Sequence, residues 1–81
     1  MQAKATRQAK ARRTALAAIR RDDILVQGIS DEYFRVMALR RQGNEEIATL
    51  MSLQTQRVIH RPKAYLQGML AKDDGTWEKM V

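Results

Sequence analysis

Cysteine is absent from this 81-residue chain. That excludes a disulfide framework, a thiolate metal site and a cysteine nucleophile. There is one histidine, His60, and a lone imidazole cannot assemble a zinc site. Aromatic residues make up 5% of the chain, namely Tyr33, Phe34, Tyr65 and Trp77, too few for a base-stacking platform. No apolar run approaches the roughly 20 residues that span a bilayer, and the N-terminus is too polar for a secretory signal. These absences lead us to expect no cofactor, no metal, no membrane association, no enzymatic activity and a cytoplasmic location. Binding is the expected role, and the question is what is bound.

Acidic residues are absent from positions 1–21, and that absence is the most informative one. This segment carries Lys4, Arg7, Lys10, Arg12, Arg13, Arg20 and Arg21, whereas residues 22–81 hold 8 basic and 9 acidic side chains. The formal charge of +6 therefore comes from an N-terminal arm attached to a nearly neutral body. Such asymmetry points to a polyanion, most often nucleic acid. Seven alanines, with no glycine and no proline, predict that the arm is helical. Only Leu16 and Ile19 give it large apolar side chains. We expect two parts, a basic helical arm over 1–21 and a helical domain over 22–81.

The body reads as helical. Ser30-Asp31-Glu32 has the form of a helix start, with a hydroxyl cap and two carboxylates in the first turn. Tyr33, Val36, Met37 and Arg40 follow at spacings of three and four. Gly43 suits a helix end and Asn44 a new cap, followed by Glu45 and Glu46 and then by Ile47, Leu50 and Met51. A third helix is predicted from Gln54, anchored by Val58 and interrupted at Pro62. Ala64, Tyr65, Met69 and Leu70 suggest a further helical turn or two. Asp73-Asp74-Gly75 reads as a turn, and Trp77 in the terminal element is expected to close the core. The expected fold class is all-α, a bundle of four to five helices.

Ile47, Ala48, Met51, Leu53 and Val58 have the spacing of two helices crossing at a tight turn, a helix-turn-helix. The second of these would project Gln54, Thr55, Gln56, Arg57, His60 and Arg61, side-chain types that read base edges and phosphates. From Gln54 to Lys63 there are Arg57, Arg61 and Lys63 and no acidic residue.

Ile29-Ser30-Asp31-Glu32 through Val36-Met37, Leu39 and Gln42-Gly43, then Glu46-Ile47-Ala48, Met51, Leu53 and Val58, resembles the DNA-binding domain of LuxR/GerE-type regulators and region 4 of sigma factors. The resemblance covers about half the chain. It implies a compact helical domain that places its third helix in the major groove, often as a dimer, with Gln54, Thr55, Gln56, Arg57 and Arg61 on the contacting surface. Pro62 departs from it by standing inside that third helix.

The expected function is thus a small DNA-binding transcriptional regulator, a homodimer on double-stranded DNA. Lys4, Arg7, Lys10, Arg12 and Arg13 of the arm, together with Lys63, would supply phosphate contacts. The alternative is a small helical interaction protein, of the kind phages and mobile elements carry. It would dock on RNA polymerase or another protein of the transcription or translation machinery.

Overall fold

The computed structural model describes residues 18–80, and over these the all-α expectation is overturned. In chain order the elements are β1 (Ile24–Gln27), β2 (Glu32–Gln42), β3 (Glu45–Ser52), β4 (Val58–Pro62), α1 (Lys63–Lys72) and β5 (Trp77–Lys79). The strands form one sheet in the order β4-β3-β2-β1-β5, and every neighbouring pair is antiparallel. Four strands meander, then α1 crosses back so that β5 can pair with β1. The expected helical turns at Ala64–Leu70 fall inside α1. The helices expected between Ser30 and Pro62 are replaced by β2, β3, β4 and the turns between them, so the residues that resemble the LuxR/GerE domain lie in no helix-turn-helix.

The reason is visible in β2. Phe34 and Val36 point to the buried face while Tyr33 and Arg35 point away, as the two-residue period of a strand requires. A β-bulge between Val36 and Ala38 then inserts Met37 and shifts the phase, so that Leu39 again faces the core side. That extra residue converts alternation into the 33-36-37-40 spacing of a helix. In β3 the alternation is hidden differently: Ala48 and Leu50 are buried on one face, while Ile47 and Met51 give the opposite face apolar character too. Gly43, read as a helix end, instead opens the two-residue loop of the β2–β3 hairpin at φ 62°. Glycine at positive φ is what such primed turns demand.

One face of the sheet is covered by α1 and, among the described residues, the other is not. The core consists of Ile19, Leu25, Phe34, Val36, Ala48, Leu50, Leu66, Leu70 and Trp77, with Leu39, Ile59 and Met69 packed against it. Leu66 and Leu70 lie one turn apart on α1, which is how a helix of 10 residues closes that face. Trp77 is 2% exposed and its ring centroid is 5.7 Å from that of Phe34. Pro62 ends an edge strand and precedes the first helical position, where a missing amide proton costs no ladder or helix bond. Asp73 closes the helix in the left-handed region, donating its amide to the Leu70 carbonyl at 3.2 Å.

The base of the arm belongs to this body. Ile19 is 3% exposed within the core. The amide of Asp22 donates to the Val36 carbonyl at 2.8 Å, and that of Val36 to the Asp23 carbonyl at 2.9 Å. Lys79 Nζ donates to the Ala18 carbonyl at 2.9 Å and pairs with Asp23 at 3.3 Å. The rest of the expected arm, with Lys4, Arg7, Lys10, Arg12 and Arg13, lies outside the described residues.

Candidate nucleic-acid interface

The residues expected to read bases do not share one surface. Gln54, Thr55, Gln56 and Arg57 form the turn between β3 and β4, and their polar atoms are engaged within the protein. Ser52 Oγ, fully buried, accepts the amides of Gln54 and Thr55 at 3.3 and 3.2 Å. Gln56 takes a left-handed φ of 61° and donates its amide to the Ser52 carbonyl. The Gln54 side chain ties this turn to the β1–β2 loop: its Nε2 donates to the Asp31 carbonyl at 3.1 Å, and its Oε1 accepts the Tyr33 amide at 3.0 Å.

Glu32 gathers the rest of that turn. Arg57 Nη2 lies 2.7 Å from Glu32 Oε1, and Thr55 Oγ1 donates to Oε2 at 3.4 Å. A hydrogen bond from Ser52, then those from Arg57 and Thr55, hold the Glu32 carboxyl below its ordinary value despite partial desolvation. The Arg57 guanidinium also sits 6.0 Å above the Phe34 ring. These four residues clamp two loops together.

His60, Arg61 and Lys63 separate along β4 and α1. Because the Ser52 amide donates to the Arg57 carbonyl, alternation turns the His60 carbonyl outward, toward the open edge of the sheet. Arg61 Nη1 donates to that carbonyl at 2.7 Å and so covers the edge its own strand exposes. Lys63 pairs with Glu46 at 3.4 Å. That pair borders a hollow of about 230 Å³ between the β2–β3 hairpin and the start of α1.

Among the described residues of the expected set, His60 alone joins a second, larger hollow, and here the structure adds residues the sequence reading missed. On the uncovered face, Arg40 and Gln42 from β2, Ile47 and Thr49 from β3, and His60 from β4 line a space of about 390 Å³. Thr49 lies opposite Ala38 on one side and opposite His60 on the other. Its Oγ1 is 3.1 Å from His60 Nδ1, which orients the imidazole and leaves Nε2 unengaged by that bond. Arg40 makes no ion pair among the described residues; Arg35, Arg57, Lys63 and Lys79 each have one. A strand assignment for 38–42 and 47–49 would have put Arg40, Gln42 and Thr49 on one face. A helical assignment scatters them.

The same uncovered face is apolar beside this hollow. Tyr33, Met37, Leu53, Val58 and Met80 are exposed there, with Ile24, Val26 and Met51 half-buried between them. Antiparallel sheets commonly turn a polar face to water. This one presents a polar corner and an apolar strip.

No three His, Cys, Asp or Glu side chains converge as a metal site among the described residues. Likewise, no described helix is long and apolar enough to cross a membrane. Comparison with protein-family models, curated proteins and solved structures finds no significant match for this chain.

Proposed function

We propose that this chain is a small DNA-binding protein that grips the phosphate backbone rather than reading bases with a helix. The observation that carries this reading is the segregation of charge, with seven basic and no acidic residues in positions 1–21 ahead of a nearly neutral body. Arm cations displace condensed counterions on DNA, giving affinity without sequence preference. The rooting of the arm's base through Ile19, Asp22 and Asp23 supports this reading, because it ties that charge to a rigid sheet. A regulatory, cytoplasmic role would act through occupancy of DNA.

The test is binding of the full chain, and of a chain lacking residues 2–13, to random DNA at two salt concentrations. The deletion removes Lys4, Arg7, Lys10, Arg12 and Arg13, and the slope of log K on log salt should flatten by about 4. An unchanged slope overturns the reading.

The apolar strip favours a second reading, an interaction protein that docks its uncovered sheet face on a protein partner. On that reading Val58→Lys abolishes function while neutralising the arm does not.

A further inference from the structure

We infer that the uncovered sheet face takes an unpaired nucleic-acid strand, with one backbone phosphate seated in the Arg40–His60 hollow and its base against the neighbouring apolar strip. This rests on the nucleic-acid reading above and names the form of nucleic acid that the body, as opposed to the arm, recognises.

The hollow has the parts of a phosphate site. Arg40 brings a guanidinium with no ion-pair partner among the described residues, and Arg is the side chain whose forked donors match phosphate oxygens. Gln42 adds an amide donor. The Thr49 contact steadies His60 in the same wall, leaving Nε2 for a ligand. Glu45 pairs with Gln42 across the hairpin but does not line the hollow, so no carboxylate competes with an anion inside it.

The second half of the argument is the strip. The row Arg35–Met51–Val58 lies two residues along β3 from the row Ala38–Thr49–His60, about 7 Å away. A nucleotide with its phosphate between Arg40 and His60 thus has apolar side chains within reach of its base. Unpaired bases have free faces to lay on Met51, Val58 and Tyr33. In a duplex those faces are stacked inside, and the strip would meet only phosphates and sugars. Arg35, which lies in the strip, is held by Asp22 at 3.2 Å.

The test uses the full chain in proton–nitrogen and methyl correlation spectra. It is titrated separately with inorganic phosphate, a short single-stranded oligodeoxynucleotide and the matching blunt duplex. Phosphate should move the signals of Arg40, Gln42, Thr49 and His60 alone. The single strand should move those signals together with the Met51 and Val58 methyls, and the duplex should leave the methyls unmoved. Arg40→Gln, at an exposed position without an ion pair, should keep the fold and weaken single-strand binding about tenfold. Binding of the single strand with the hollow undisturbed, or equal methyl shifts with the duplex, overturns this inference and leaves the nucleic-acid reading standing. If neither oligonucleotide binds, that reading fails as well, and shifts with phosphate alone would then mark a small-anion site.

Discussion

Glu32 and Arg57, 25 residues apart in sequence, meet at 2.7 Å and join the start of β2 to the β3–β4 loop. The carboxylate is only 14% exposed although its partner is mostly in solvent, so losing Arg57 leaves a covered charge short of a donor. Arg57→Ala should therefore lower the urea midpoint of unfolding. It should leave DNA affinity within about twofold, far less than the loss of a base-reading arginine would cause. A stable variant with specifically impaired binding would return Arg57 to the interface.

Acid should weaken the same clamp. Hydrogen bonds from Ser52, Arg57 and Thr55 hold the Glu32 carboxyl below its ordinary value, so its folded value lies under its unfolded one. Its contribution to stability is full above the unfolded value and is lost as pH falls through the folded value. Asp74, lowered chiefly by the Thr76 amide that it accepts at 3.0 Å, acts in the same direction. Glu32→Gln should be less stable than the parent at neutral pH, and the gap should close in acid. Urea midpoints of both chains across that range check the sign.

Two glycines should respond oppositely to alanine. A Cβ on Gly28 would lie 1.8 Å from the Gly75 carbonyl oxygen, where the Gly28 amide bonds Thr76 at 2.9 Å. Gly28→Ala must push the α1–β5 loop away and should cost about 2 kcal/mol. Gly68, inside α1, has nothing within 4 Å of that position. Gly68→Ala should add about 0.5–1 kcal/mol of stability through helix propensity. Equilibrium unfolding of the pair measures both.

Truncation should locate the boundary between arm and body. A chain beginning at Ala18 keeps Ile19 in the core and the Lys79 contact to the Ala18 carbonyl. Its circular dichroism should retain the sheet. Ile19→Ala in the full chain should cost about 2–4 kcal/mol, as buried large-to-small changes do.

What the sequence made legible was mostly punctuation. Gly43 marked a real reversal, Asp73–Gly75 a real turn, and Ala64–Leu70 a real helix, because glycine and aspartate in the left-handed region and the spacing of Leu66 and Leu70 act locally. Trp77 was recognisable as core by size alone. The strands were not, for two physical reasons. Met37 interrupts the alternation in β2, and the apolar side chains of the uncovered face fill the positions in β3 where polar residues would have marked a strand. The candidate site was hidden by the same feature, since Arg40, Gln42 and Thr49 become neighbours only in the strand register. Of the expected contacting residues that are described, His60 alone was brought to them. Gln54 and Arg57 have the chemistry of base readers, but it is directed at Asp31, Tyr33 and Glu32.

The supernumerary residue at Met37 also fixes how this chain can change. Residues 38–42 keep their partners on β3 because the bulge takes Met37 out of the alternation. Removing Met37 would leave Val36 opposite Leu50 and Ala38 opposite Thr49 in an uninterrupted ladder, with Leu39 still on the core side and Arg40 and Gln42 still on the other face. The shoulder of this hairpin can thus lose a residue without loss of register. A three-base deletion inside β3, which carries no spare residue, would instead exchange the inside and outside of the strand beyond it.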